Sequence, residues 1–318
     1  MTPRAIALAA VLAASQSGAQ TPPTIVFSSA VEAVFVDVFV TRDGQPLAGL
    51  AAGQFELKDN GVRQNVELLS AETKPLRAVL VFDTSSSMTS DRMEMLRAAG
   101  RAFLDGLRPA DEVALVTFGE EILWSATPTA DKKLVRNALQ QLRSRGTTAA
   151  FDALYAGIAL SDHDRRPLIV LFTDGVDNSS WLDQAQMLKL AERSNALVHV
   201  VCWMPAAQAP FNQRMPAFQR VQPTPVPVET DQELVWRPVA EVTGGRFWSP
   251  ESPEELRKAF AAIADAMGHR YVLRYEPTGV KREGWHRIEI RLRGPKGKVE
   301  ARRGYWVASP PPVKRTRP

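Results

Sequence analysis

Ala78-Val79-Leu80-Val81-Phe82 is apolar at every position and breaks directly into Asp83-Thr84-Ser85-Ser86-Ser87, an acid followed by hydroxyls. A short run without polar alternation suits a strand covered on both faces, as in a parallel sheet wrapped by helices. Leu168-Ile169-Val170-Leu171-Phe172 repeats the pattern and runs into Thr173-Asp174-Gly175. Around these runs, strand-like Val113–Phe118, Leu197–Cys202 and Arg246-Phe247-Trp248 alternate with helical stretches at Ser90–Leu107, Asp131–Leu142, Phe151–Leu160 and Leu182–Ser194. In the first of these helices Met93, Leu96, Phe103, Leu104 and Leu107 recur at roughly helical spacing. Ser252-Pro253-Glu254-Glu255 has the pattern of a capping box with Pro at the first helical position, and opens a last helix to about Met267. Alternation from Arg77 to Met267 predicts an α/β fold with a doubly wound, mostly parallel sheet.

On both sides of this region the pattern is strands without helices. Val34–Val40 is a β-branched and aromatic run closed by the turn signal Arg42-Asp43-Gly44-Gln45-Pro46. Phe55–Lys58 and Val66–Leu69 flank Asp59-Asn60-Gly61, a hairpin signal because Asn-Gly readily takes positive φ. After Gly268 come Tyr271–Tyr275, His286–Arg293 and Lys298–Trp306, with Gly294-Pro295-Lys296-Gly297 as a turn. Neither flank buries a core alone, since about 40 residues lies below the usual limit for independent folding. The expectation is that the two pair into one small β-sandwich with the α/β unit inserted between its halves. Two separate appendages packed on the domain are the alternative.

The 318 residues are 45% apolar and 23% charged, the composition of a globular protein. No apolar run approaches the roughly 20 residues that span a bilayer, so no membrane span is expected. Arg4, the apolar stretch Ala5–Ala14 and the small residues Ser17-Gly18-Ala19 have the layout of a secretory signal peptide. The organisation expected is therefore a signal peptide at 1–19, a β segment at 20–76, the α/β domain at 77–267, a β segment at 268–308 and a disordered tail at 309–318. The protein would be exported, and periplasmic or secreted. The single cysteine, Cys202, excludes an internal disulfide and reads as a buried small hydrophobe. The histidines His163, His199, His269 and His286 show no metal-ligand spacing.

The net charge of +4 comes from Arg4, Lys314, Arg315 and Arg317 near the ends. Arg287, Arg291, Arg293, Lys296, Lys298, Arg302 and Arg303 read as a solvated strand edge that discourages edge pairing, so no nucleic-acid partner is expected. The Pro-rich segment Met204–Val228 leaves the end of a strand and reads as an irregular loop, with Phe211, Met215 and Phe218 as candidate contact residues.

In a doubly wound sheet, ligands bind beyond the carboxyl ends of the strands. Three loops should open there, carrying the carboxylates of Asp83 and Asp174 and the hydroxyls of Ser85, Ser87 and Thr148. An all-oxygen set of this kind suits a hard divalent cation. Two carboxylates only just neutralise such an ion, so it stays electrophilic and an open position can take a partner's carboxylate. The alternative for Ser85 and Ser87 is that they cap the next helix. A serine nucleophile elbow needs glycines two residues on either side, where Ser85 has Asp83 and Ser87. A phosphate loop needs glycines that Asp83–Ser87 lacks. Carboxylates that hold a metal stay ionised and make poor general acids. Binding rather than catalysis is expected, with no small-molecule substrate.

Asp83-x-Ser85-x-Ser87, Thr148 and Thr173-Asp174-Gly175 resemble the metal-ion-dependent adhesion site of the von Willebrand factor type A domain, a Rossmann-like fold, over about Arg77–Met267. The resemblance implies that Asp83, Ser85, Ser87 and Thr148 surround the metal and that Asp174 acts directly or through water. The cofactor implied is a divalent cation, Mg²⁺ foremost, with Mn²⁺ and Ca²⁺ as alternatives. Val36–Thr41 with Leu50 and Phe55-Glu56-Leu57, and Tyr271–Tyr275 with Arg303-Gly304-Tyr305, resemble the two ends of exported bacterial von Willebrand factor A-related proteins. The function expected is an exported, divalent-metal-dependent protein–protein interaction module of adhesion type, whose metal accepts a Glu or Asp from its protein partner. The alternative is a metal-independent scaffold or assembly subunit of a cell-envelope complex. By analogy with related domains, whose last helix can slide when ligand binds, Glu254–Met267 would act on the strand Tyr271–Tyr275.

Overall fold

The structure, a computed structural model, describes residues 33–69, 75–161, 165–175, 177–203, 231–281 and 283–307. The expected signal peptide, the Pro-rich stretch Met204–Val228 and the C-terminal tail lie outside the described residues. Strands β1 (Val34–Arg42), β2 (Gln45–Pro46), β3 (Phe55–Asp59), β4 (Val62–Gln64) and β5 (Glu67–Leu69) precede the α/β region. That region runs β6 (Leu76–Asp83), α1 (Ser90–Asp105), β7 (Glu112–Phe118), β8 (Ile122–Thr129), α2 (Lys132–Gln140), α3 (Ala150–Ala159), β9 (Arg166–Thr173) and α4 (Gln184–Arg193). It continues with β10 (Leu197–Cys202), α5 (Asp231–Val242), β11 (Phe247–Trp248) and α6 (Pro253–Gly268). Strands β12 (Tyr271–Tyr275), β13 (Gly284–Leu292), β14 (Lys298–Ala301) and β15 (Gly304–Val307) follow.

The central sheet has the order β11-β10-β9-β6-β7-β8, parallel throughout except for the antiparallel edge pair β7–β8. Within β6, Ala78–Phe82 is uniformly apolar because both faces of the strand are covered there. Ala78, Leu80 and Phe82 pack with Leu96 and Phe103 of α1 and Phe260 of α6, while Val79 and Val81 pack with Leu154 of α3 and Trp236 of α5. Phe82 meets Phe172 and Phe260 edge-on, with ring centroids 6.4 and 5.6 Å away.

Each helix and strand expected in this region is present. Ser252 caps α6 by accepting from Glu255 N, but the reciprocal half of the capping box is redirected: Glu255 Oε2 accepts from Glu251 N. Two elements carry no legible signal. Strand β8 contains Pro128, which an edge position tolerates because one side of the strand needs no ladder bonds. Helix α5 contains Pro238, which breaks the sequence pattern of a helix.

The flanking strands form two antiparallel sheets, β14-β1-β12-β5 with β2 on the side of β1, and β15-β13-β3-β4. Strands from before and after the α/β region pair directly, β1 with β12 and β14, β5 with β12, and β3 with β13. Val36, Val38, Leu57, Leu273 and Ile288 share one core between the sheets. The sandwich inference therefore holds over the separate-appendage alternative. Asn60 (φ 45°) and Gly61 (φ 82°) form the β3–β4 turn that their residue types predict.

The seam between the sandwich and the central sheet is a buried charge cluster. Asp37 on β1 accepts from Arg166 Nη2 at 2.6 Å and lies 4.0 Å from Arg270 Nε. Arg302 belongs to this seam and not to a solvated edge. It is buried, and donates to Asn195 Oδ1 and to Ser194 O at 2.8 and 2.9 Å. Burial holds its guanidinium down at about 10.

Close by, His199 is fully enclosed, with Nδ1 accepting from Arg246 N at 3.1 Å. Burial, then the charges of Arg270 and Arg246, holds this imidazole down at about 3. The unfolded chain takes up that proton near the ordinary value of about 6.5. The neutral imidazole thus favours folding fully above pH ~6.5, and this contribution is lost as pH falls toward 3. Urea unfolding of the wild type should show stability declining below pH ~6.5, and His199→Gln should flatten that decline. An unchanged pH slope in the variant would refute the assignment.

Candidate metal centre

Strands β6 and β9 are neighbours and parallel, so Asp83 and Thr173 both end at the carboxyl edge of the sheet. Beyond that edge four of the five candidate ligands form one hydrogen-bonded chain. Asp83 Oδ1 accepts from Ser85 N at 2.8 Å, and Ser85 Oγ lies 2.9 Å from Ser87 Oγ. Ser87 Oγ donates to Asp174 Oδ1 at 2.6 Å, while Thr173 Oγ1 donates to Asp83 Oδ2 at 2.7 Å. The fifth, Thr148, borders this chain across Gly175, where an added Cβ would lie 3.6 Å from Thr148 Oγ1 and 4.0 Å from Ser87 Oγ.

Thr89 is the N-cap of α1, its side chain accepting from Arg92 N. Ser85 and Ser87 are therefore not spent on capping; their hydroxyls turn toward the carboxylates.

The loops are locked together by backbone bonds. Arg145 N donates to Thr84 O, Ser86 N to Gly146 O and Ser144 Oγ to Ser85 O, all at 2.7–2.9 Å. Gly146 has φ 82°, and a Cβ there would come within 2.3 Å of Glu120 Cβ, so only glycine fits this crossing. Thr148 is fixed from the other side, its N donating to Asn178 Oδ1 and its O accepting from Asn178 N, both at 3.0 Å.

Burial is the largest influence on Asp83 and pushes its carboxyl above the usual range; the nearby Asp174 charge adds to this, against bonds from Ser85 and Thr173. The ionised form is thus disfavoured until a cation offsets it. Cys202 sits fully enclosed behind the two acids. Burial, followed by the charges of Asp174 and Asp83, pushes its thiol up to about 12, which makes it inert packing.

Among the described residues no three Asp, Glu, His or Cys side chains group so as to hold a metal. A divalent site here must draw on hydroxyls. The donors present, two carboxylates and three hydroxyls around a glycine that leaves the space open, fit a hard cation in that way.

Three further residues shape the site that motif spacing does not single out. Arg92 reaches in from the first turn of α1. Asn178 holds Thr148, and the only sign of it is an Asp/Asn/Ser-rich stretch after the strand. Trp181, on the same β9–α4 loop as Asp174, is 96% exposed. Its backbone is anchored by Trp181 N to Asp152 Oδ2 and by Asp177 to Ser180 N and Phe151 N. The loop-borne residues Phe211, Met215 and Phe218 lie outside the described residues.

The doubly wound sheet thus carries an acid-and-hydroxyl constellation at its carboxyl edge. Residues 78–192 match the family model of the von Willebrand factor type A domain. A UPF0353 protein of Mycolicibacterium paratuberculosis is 26% identical over 226 residues, covering 66% of this chain and 64% of the relative. A UPF0353 protein of Nocardia farcinica is 25% identical over 218 residues, covering 60% and 63%. The chain thus spans less than two thirds of the length of these curated relatives. Among solved structures, a von Willebrand factor type A protein from Catenulispora acidiphila aligns with TM-score 0.48 and 12% identity over 87% of this chain and 74% of its own. The vWF domain of the type V pili tip protein Mfa5 from Porphyromonas gingivalis aligns with TM-score 0.45 and 12% identity over 61% and 95%.

Proposed function

We propose that this chain is a non-enzymatic protein-interaction module whose binding depends on a divalent cation, Mg²⁺ foremost, held by Asp83, Ser85, Ser87, Thr148 and Asp174. The observation that carries this is the continuous hydrogen-bonded path from Thr173 through Asp83, Ser85 and Ser87 to Asp174, with Asp83 buried and its ionised form disfavoured. Bound there, a cation supplies an electrophilic position that a Glu or Asp of a protein partner completes. The chain's own contribution is placement: Thr173 and the Ser85 amide orient the Asp83 carboxylate, Asn178 holds Thr148, and the backbone bonds between loops keep the hydroxyls facing inward. Trp181, exposed on a backbone anchored to Asp152, suits an aromatic contact with the same partner.

Residues 1–19 support export to the periplasm or beyond, and the division of the chain at 76/77 and 267/268 belongs to the same proposal. Among the described residues no helix is long and apolar enough to cross a membrane.

Calorimetric titration of Mg²⁺ and Mn²⁺ into the wild type and Asp83→Ala tests the reading. Loss of a liganding carboxylate should weaken binding by more than about a hundredfold, beyond the 10–100-fold typical of a supporting residue. Equal affinity in both proteins would sink it. The scaffold alternative has one observation in its favour: Arg92 already neutralises Asp174.

A further inference from the structure

Arg92 is a cation inside a site suited to cations. Its Nη1 donates to Asp174 Oδ2 at 2.7 Å and to Ser87 O at 3.1 Å, bridging the loop after β6 and the loop after β9. The Asp174 side chain has no solvent exposure, so this ion pair differs from an ordinary surface pair, in which water screens both partners. The other Asp174 oxygen is held by Ser87 Oγ at 2.6 Å. The same carboxylate therefore serves two masters: it is a candidate metal ligand, and it is the partner of a guanidinium.

The arginine can leave. Its side chain is 31% exposed, and a long side chain rooted at a helix start can swing its head into water while its stem stays in place. A divalent ion taking Asp174 would face the guanidinium at short range in a poorly screened setting, where like charges repel strongly. The two cations are then competitors for one carboxylate. By linkage, whatever favours Arg92 on Asp174 weakens the metal to the same degree.

We propose that Arg92 is a built-in counter-cation: it occupies Asp174 in the metal-free protein, must release it for a divalent cation to bind, and so sets the metal affinity of the site. The inference rests on the metal reading above. It has a consequence for recognition. With Arg92 in place, the two acids and one guanidinium carry no net positive charge. With a divalent cation added and Arg92 displaced to the rim, the same groups carry a single net positive charge. An acidic partner group therefore gains no attraction from the empty site and is drawn to the loaded one.

The test is a Mn²⁺ titration, read by calorimetry and by the electron paramagnetic resonance of free Mn²⁺, on the full chain as wild type, Arg92→Gln and Arg92→Lys. Arg92→Gln should bind Mn²⁺ about fivefold or more tightly, the lower end of ordinary coupling between sites. Arg92→Lys should gain less, because an ammonium still pairs with Asp174 but lacks the planar fork. In EDTA, Arg92→Gln should melt at a lower temperature than wild type, since Asp174 has lost its cation, and Mn²⁺ should more than restore it. Equal or weaker Mn²⁺ binding by Arg92→Gln, with the wild type still binding, overturns the counter-cation role alone. Absence of Mn²⁺ binding by both overturns the metal reading and this inference with it. Should Arg92→Gln not fold, Arg92→Lys carries the test: about a twofold gain is expected on the same coupling argument, and no gain overturns it.

Discussion

Asp59→Ala should lower the unfolding free energy of the chain by about 3–5 kcal/mol, the range for removing one member of a buried charged network. Asp59 is completely buried and accepts three bonds: from His286 Nδ1 at 2.9 Å, Tyr275 OH at 3.0 Å and Tyr305 OH at 2.8 Å. These partners lie 227, 216 and 246 residues away in sequence, so the aspartate closes the sandwich across the inserted domain. The His286 ring also stacks on Tyr305, with centroids 4.6 Å apart. Burial, together with the neighbouring Asp59, raises both tyrosine hydroxyls above their ordinary range, so they stay protonated and donate. Truncating the acid leaves buried donors without their acceptor, each costing roughly 1–3 kcal/mol. Tyr275→Phe removes a single bond and should cost only about 1 kcal/mol. Urea denaturation of the three proteins checks this. A loss below about 1 kcal/mol for Asp59→Ala would show that the network is not what closes the sandwich.

Asp37→Ala is expected to cost a similar amount, about 3–5 kcal/mol, for a different reason. Asp37 brings its carboxylate to Arg166, which is buried at the start of β9, and to Arg270, which is buried just after α6. Removing it takes the shared anion from two guanidinium groups that cannot reach bulk water. Arg270 also donates to Asp37 O and Gly244 O, both at 3.3 Å, and Arg166 lies 3.5 Å from Met267 O at the end of α6. Backbone acceptors soften the loss without replacing a charge. Asp37→Asn keeps an acceptor and should cost less than Asp37→Ala. The seam lies at the amino end of β9, whereas the candidate metal site lies beyond its carboxyl end. Denaturation midpoints of Asp37→Ala should therefore fall while Mn²⁺ affinity of the folded protein stays at the wild-type value. A matching loss of metal affinity would mean that seam and site are coupled through β9 or α6, as the sliding-helix analogy would have it.

These two acids also mark the limit of what local pattern conveys. Asp59 reads in the sequence as the first residue of an Asp-Asn-Gly turn, and the turn forms as expected, with Asn60 and Gly61 at positive φ. Its role as acceptor for three distant side chains is invisible there, because those partners sit on other strands. Asp37 reads as the polar interruption of an apolar strand. Only the packing of the sandwich on the sheet turns it into the counter-ion of Arg166 and Arg270. Arg302 failed as a surface residue for the same reason: strand alternation assigns a face, but says nothing of what a second domain lays over it.

The sequence by itself determined the sheet and the location of the candidate site. Runs such as Ala78–Phe82 and Leu168–Phe172 are apolar at every position because two layers of helix cover them, and the residues that follow must then stand at the carboxyl edge. That is a local and periodic signal, legible without coordinates. The tertiary structure alone decided how those residues meet: that Ser87 bonds Asp174, that Thr89 and not Ser85 caps α1, and that Arg92 turns back onto an acid from another strand. Sequence spacing sets which edge a side chain reaches. Which of several neighbours it pairs with depends on distances of a few ångströms between segments far apart in the chain, and only the packed fold sets those.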